Sequence, residues 1–472
     1  MFQIPDYGHT AFGEVSAEEV RELNKALTAG SDRDPPGSIV AGDGFALRTE
    51  DLDPTLKVTT FQEKEIKLFK ELSKSKTNNT VFEYNEQSSY GQELDGFFAE
   101  GGVGAEYDST YERKIHRVKY MSQLGRVTHV ASLTANAHGP AIDRETISRT
   151  RALLGSIERG LFYADSTVDP LAFDGYAAMI RDRSPAENTL DLRGGTLNQD
   201  SLNDIAMRVS VAPNYGNPTH MFLDPLVHSD LAKTFFPNGR YQVTGAPTNL
   251  TLGSKVAGWT SPAGEVAFVP NKFIQANEGR TQAGAASAVL TAPAQPSSVA
   301  GVAGALGGGE TSSFGAADAG NYRYAVVAVS PNGRSAALQD GGAVTVAAGQ
   351  KVTVTITHGA GTPVPTYYEI YRTKVGGAAG DAWLIGKVAR SGGATSVFTD
   401  FNQTLPDTSI AILFEMNPEV VEWKQLAPMM RWPLAITDTS IRWLQLIYGT
   451  PTLYAPRKIA MVKNIGRAPN SL

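Results

Sequence analysis

Between residues 288 and 407 helical patterning stops and short alternating strands take over; beyond 407 the earlier character returns. The block is rich in Ala, Gly, Val, Thr and Ser. NYRYAVVAVS (321–330) places Tyr322, Tyr324, Val326 and Ala328 on one face, because successive strand side chains point to opposite sides. Pro331-Asn332-Gly333 follows as a turn, with glycine supplying positive φ. KVTVTIT (351–357) alternates again, and YYEIYRT (367–373), WLIGKV (383–388) and SVFTD (396–400) give further strands. Turn-bounded strands without a helix, over about a hundred residues, predict a β-sandwich. Trp432, Leu434, Ile436, Trp443, Leu444, Leu446 and Ile447 then supply a heavy apolar payload in residues 408–472, where the first body resumes. The sandwich is therefore inserted, which a body tolerates at a surface loop because domain ends lie close together.

The strongest helix signal is residues 143–164, DRETISRTRALLGSIERGLFYA. Ile147, Leu154, Ile157, Leu161 and Ala164 recur at three- and four-residue spacing and share one side. Arg144, Glu145, Arg149, Arg151, Glu158 and Arg159 cover much of the rest, and Asp143 suits the first turn. Gly155 and Gly160 each cost about 1 kcal/mol relative to alanine, so they point to close approach of another backbone. Residues 141–195 add a short helix packed through Phe173, Tyr176, Ala177 and Ile180. Residues 196–287 add a helix over 197–211 with Leu202, Ile205, Ala206 and Val209 inward. The strand THMFLD, a helix from Pro225 and the strand EVAFVP follow. This alternation indicates an α/β or α+β body.

Residues 1–60 are polar and broken by Pro5, Pro35, Pro36 and Pro54, as in an extended arm, with one short helix over 17–27. Residues 61–140 begin with a second short helix anchored by Phe61, Ile66 and Phe69. VFEYNEQSSYG then leads through the glycine-bearing ELDGFFAEGGVGAEYDST to YERKIHRVKYMSQLGRVTHVASLT. Two arms joined by such a tip predict a projecting hairpin, whose open edges are a liability unless another chain covers them. The returning arm carries Arg113, Lys114, Arg117, Lys119 and Arg126. These suit pairing with Glu93, Asp95, Glu100, Glu106 and Asp108 of another copy, contact with nucleic acid being the other use.

The chain has 472 residues, enough for two or three domains, and no cysteine, which excludes disulfides and thiol-ligated zinc. A net charge of -6 argues against a nucleic-acid condenser. The seven histidines fall in no zinc-binding spacing, and no phosphate loop, dinucleotide fingerprint or nucleophile elbow is present. The expectation is a protein that is not an enzyme and has no cofactor, no metal and no membrane segment, made in the cytoplasm without a leader pattern.

In order as much as in letters, the chain resembles tailed-bacteriophage major capsid proteins of the HK97-like fold. VFEYNEQSSYG through YMSQLGRVTHVAS is similar to their extended loop, and DRETISRTRALLGSIERGLFYADS to their spine helix. FDGYAAMI, LNQDSLNDIAMRVSV and NPTHMFLDPLVHSDLAK resemble the start of the axial domain, and RWPLAITDTSIRWLQLIYGTPTLYAPRKIAMVKNI the closing strands. NYRYAVVAVSPNGRS and YYEIYRT resemble the immunoglobulin-like modules that some of these shells carry. The resemblance implies an α+β HK97-like fold with an N-arm (1–60), connecting segment and extended loop (61–140), spine helix and peripheral domain (141–195) and axial domain (196–287). An all-β immunoglobulin-like insert (288–407) and a return to the core (408–472) complete it. It also implies hexameric and pentameric capsomers of an icosahedral virion shell around double-stranded DNA, contacted non-specifically at most. Separate scaffolding, portal and decoration proteins would be the partners, and the insert would point outward and be excisable. On this reading Ile147, Leu154, Ile157 and Leu161 line the spine. The alternative is a cell-surface adhesin or carbohydrate-binding protein using residues 288–407.

Overall fold

The computed structural model describes residues 58–91, 97, 99–103, 107–134, 139–238, 256–282, 287–288, 291–436 and 438–468. The chain divides into two units, residues 1–59 with 135–140 and residues 60–134 with 141–472. The described helices and strands all belong to the second unit. The expected helix over 17–27 and nearly all of the expected arm lie outside the described residues.

In chain order the elements begin with α1 (Leu68–Glu71), β1 (Lys74–Lys76), β2 (Val81–Ser89), β3 (Thr110–Arg117), β4 (Lys119–Thr128) and α2 (His129–Leu133). The spine helix α3 (Ala141–Tyr163), α4 (Tyr176–Arg183), β5 (Thr189–Asp191), α5 (Gln199–Ser210), β6 (His220–Leu223), α6 (Pro225–Asn238), β7 (Gly258–Ser261) and β8 (Gly264–Pro270) follow. The next group is β9 (Ser287–Ala288), β10 (Ser298–Gly304), β11 (Gly320–Tyr322), β12 (Tyr324–Ser330), β13 (Gly333–Arg334), β14 (Leu338–Gln339), β15 (Val344–Val346), β16 (Lys351–Thr357), β17 (Tyr367–Arg372), β18 (Trp383–Ala389) and β19 (Thr395–Asp400). The chain closes with β20 (Ser409–Phe414), β21 (Val421–Pro433), β22 (Ser440–Leu453) and β23 (Ala460–Ile465).

A six-stranded mixed sheet, ordered β5-β23-β20-β6-β8-β7, is the middle layer of the body. Strand alternation feeds two cores from the same residue runs. Ile412 and Phe414 join Leu153, Ile157, Leu161 and Phe162 of α3 and Tyr176 of α4 on one face. Ala411 and Leu413 join Leu202, Ile205 and Val209 of α5 and Val227 and Leu231 of α6 on the other. Both faces are covered, so β20 and β6 are apolar almost throughout. Helix α5 starts where expected, because the Asn198 side chain accepts from the Ser201 amide at 2.8 Å.

A second sheet, ordered β1-β21-β22-β4, carries two tryptophans seated on glycines. A Cβ on Gly449 would come within 2.5 Å of the Trp423 ring, and one on Gly125 within 2.5 Å of Trp443. Only glycine lets these rings lie flat on the neighbouring strand. Phe69 and Phe173 then meet Trp423 edge-on at 5.3 and 5.7 Å.

The spine helix departs from its sequence reading in three ways. Ile147 is 47% exposed and only the C-terminal half of α3 enters the core, where Leu153 and Phe162 are buried and Leu154 is partly so. Gly155 and Gly160 admit rings rather than a backbone: a Cβ there would meet Phe61 at 2.6 Å and Phe173 at 3.0 Å. The close backbone approach is instead at Gly175, whose Cβ would lie 2.5 Å from the Gly160 carbonyl. Glu158, expected among the solvated charges, is fully buried. Its carboxylate accepts from the Lys67, Leu68 and Phe69 amides at 3.1, 2.8 and 2.9 Å and from Asn271 Nδ2 at 2.6 Å.

The returning hairpin arm also differs. Only β3 pairs with β2; after Val118 the chain turns away and β4 pairs with β22 over ten residues. Lys119 and Arg126 therefore belong to the body sheet. Trp432 of β21 and Ile436 beyond its end, expected in the core, are exposed.

Strands β9 to β19 form a three-stranded sheet β10-β16-β19 facing the sheet β18-β17-β12-β13-β9, with β14 paired to β12 and a short β11-β15 pair. Val299, Val352, Val354 and Ile356 meet Tyr324, Val326, Tyr368 and Ile370 between them. Arg372 of β17 is buried against Asp400 of β19 at 2.5 Å and joins the two sheets. The expected in-out alternation of β12 fails, because all seven residues are buried. Its second face holds Ala325, Val327 and Val329 with Tyr371 and Leu384. The chain leaves and rejoins the body at Asn277 and Thr408, which exchange backbone and side-chain bonds at 2.9 and 3.0 Å.

Glu158→Ala is expected to destabilise the folded chain by about 3–5 kcal/mol, since it strands buried donors on two segments. Urea unfolding of the purified chain measures this, and Gly449→Ala is expected to lower stability in the same assay through the Trp423 clash.

Candidate assembly interface

The β2-β3 ribbon is held at its root and free along its length. At the root, Tyr84 donates to the Leu453 carbonyl at 2.9 Å and stacks on His116, with ring centres 5.8 Å apart. Arg183 of α4 donates to the Tyr84 hydroxyl at 2.6 Å, to Glu86 at 3.1 Å and to the Leu453 carbonyl at 2.8 Å. One guanidinium nitrogen also stands 3.3 Å from His116 Nε2. Tyr454 meets Tyr84 edge-on at 4.8 Å. Burial, followed by the Arg183 charge and opposed by Asp174, pushes the His116 imidazole down to about 4.

Beyond this clamp the ribbon has no buried residue. Tyr90, Tyr107, Tyr111 and Ile115 are exposed, and Phe97 is 93% exposed. A two-stranded ribbon is marginal alone in water, and its apolar side chains and open edges invite a covering surface. A second apolar zone lies at the far end of the β1-β21-β22-β4 sheet. Trp432, Leu444 and Leu124 stand side by side across three strands, with exposed Val130 and Leu133 of α2 on the connection from β4.

Four of the five basic residues expected at contacts find partners within the chain. Arg113 pairs with Glu83 at 3.5 Å, Lys114 with Glu112, and Arg126 with Asp438 at 2.9 Å. Lys119 donates to the Pro170 carbonyl at 2.5 Å. Arg117 is exposed and makes no ion pair among the described residues. Exposed pairs of this kind contribute about 0–1 kcal/mol, so they exchange readily for another partner. Glu100 and Asp108 are exposed at the tip, while Glu93, Asp95 and Glu106 lie outside the described residues. Of the spine positions, Ile157 and Leu161 are fully buried, Leu154 lies at the core edge and Ile147 faces outward. Arg183 and Tyr84, which set the ribbon's direction, carry no sequence signal, because their hydrogen-bond partners lie 67 to 369 residues away along the chain. Glu158 did carry one: it occupies the same stripe as Leu154, Ile157 and Leu161.

His116 gives the root a pH dependence. Its pKa is below the ordinary 6.5, so a released ribbon binds the proton more readily than a docked one. The docking contribution is complete above about pH 6.5 and is lost as pH falls towards about 4. Hydrogen exchange in β3 at pH 7 and pH 5, normalised for intrinsic rate, is expected to show weaker protection at pH 5. His116→Gln is expected to flatten that difference.

No family model matches the chain. It is 27% identical over 463 residues to the major capsid protein of Staphylococcus phage S25-3, covering 94% of this chain and 95% of that protein. The major capsid protein of Staphylococcus phage K matches at the same identity and coverage. Among solved structures, the capsid of an empty GTA particle matches at a TM-score of 0.46 and 8% identity, over 92% of this chain and 100% of that one. The Gordonia phage Cozz structure matches at 0.45 and 10%, over 92% and 98%. The chain is a mixed α+β protein related, along nearly its whole length, to phage major capsid proteins.

Proposed function

We propose that the chain is a shell-forming subunit, the major capsid protein of a tailed phage, with an HK97-like body and an immunoglobulin-like insert at residues 288–407. It is neither an enzyme nor a cofactor carrier. The observation that carries this reading is the ribbon: it is clamped at Arg183 and Tyr84 and presents exposed Tyr111, Ile115 and Phe97. Such a surface suits a neighbouring copy, and the full-length similarity to major capsid proteins supports the same use. Hexamers and pentamers would bury the ribbon and the Trp432–Leu124 zone, closing a shell around double-stranded DNA. Scaffolding, portal and decoration proteins are the expected partners, and the virion the final location. Arg117 and the weakly paired Arg113 and Lys114 then face acidic groups of the adjoining subunit.

Electron microscopy of the expressed chain, with its scaffold where one is needed, is expected to show capsomers and closed particles. A monomer that persists under assembly conditions sinks the reading. Tyr111→Ser with Ile115→Ser is expected to leave unfolding of the isolated chain within about 0.5 kcal/mol of the parent, since both side chains are exposed, while suppressing capsomer formation. Excision of residues 288–407 is expected to leave capsomers intact, because the charges it strands become solvated.

A further inference from the structure

The seam between the insert and the body concentrates charge. Arg159 comes from the spine helix, Arg280 from the connection into the insert, Arg334 from β13 and Lys387 from β18. Arg280 and Arg334 both bind Glu369, whose side chain is fully buried on β17. The Tyr371 hydroxyl donates to the same carboxylate at 2.8 Å. Lys387 pairs with Glu278 at 2.6 Å, Arg280 lies 3.7 Å from that carboxylate, and Arg159 donates to the Glu278 carbonyl. Four cations thus share two carboxylates. Among the described residues no third carboxylate lies within ion-pair distance of any of the four.

Two positive charges are left over where water is largely excluded; the Arg280 and Arg334 side chains are only 20% exposed. An excess of buried like charge is costly unless a counter-charge joins it. The Nε atoms of Arg159 and Arg334 are buried and have no acceptor. Burial and then Arg280 hold both guanidinium groups below their usual range, as expected for cations crowding one another. The excess charge and the two unanswered Nε–H groups describe the complement of a small oxygen-bearing dianion.

We propose that this seam binds one doubly charged oxyanion, of the sulfate or hydrogen phosphate class, among Arg159, Arg280 and Arg334. Guanidinium groups present paired N–H donors at the spacing of such oxygens. The bound anion ties the spine helix to the second face of the β12-β17 sheet and holds the insert in one orientation.

Calorimetric titration of the full chain tests this, with sodium sulfate or sodium phosphate added at constant ionic strength to protein prepared in chloride. One saturable site per chain is expected, with a melting temperature that rises and then levels off. Arg334→Gln is expected to weaken binding about tenfold, the usual scale for one charged hydrogen-bond partner. Glu369→Gln, which removes a competing carboxylate, is expected to tighten it; lost packing alone gives no such opposite sign. Absence of saturable heat from the parent chain overturns the proposal whatever the variants do. So does a melting temperature that climbs linearly with sulfate, the behaviour of an excluded salt.

Discussion

One carboxylate organises the junction of the body. Glu158 sits mid-way along the buried half of the spine helix, with no water to solvate it. Three consecutive amides at the start of α1 and the Asn271 side chain supply the solvation that water would otherwise give. This fastens the segment before the ribbon, the spine helix and the loop after β8 to one point. Phe61 fits over Gly155 and Phe69 meets Trp423 only because that segment is held there. An isolated buried charge would be destabilising. Four donors make it a register pin, and the surrounding aromatic packing follows its placement.

The body is closed on both faces of its central sheet, yet the molecule is left with a ribbon and a sheet end that are not. Ile412 and Leu413, adjacent in β20, enter different cores. By contrast, Ile115 and Tyr111 on β3 enter none. Apolar side chains on a thin ribbon have no same-chain surface to meet once Arg183 and Tyr84 have aimed it away from the body. The docking clamp and the exposed surface are thus two consequences of one geometry.

The insert is joined to the body by a polar seam. A free sandwich would turn the second face of β12 to water; here that face holds Val327 beside buried Glu369. Asn277, Thr408 and the arginine cluster replace the hydration that face would otherwise require. The arrangement joins the insert to the body through ionic and hydrogen-bonded contacts.

Local elements were legible from the sequence because their causes are local. Asn198 caps α5, period-two alternation marks β16, and the stripe through Ile157 and Leu161 marks the spine helix. Tertiary structure decided the rest. It buried Glu158 and exposed Ile147 and Trp432, because burial depends on what arrives from distant segments. It split the returning arm at Val118, since β4 found a ten-residue partner in β22, more than 300 residues on. It filled the space at Gly155 and Gly160 with rings, because a missing Cβ records that something comes close but not what. Periodicity in the chain determined which stretches are helix and strand; long-range packing decided which of their faces meet each other and which stay exposed.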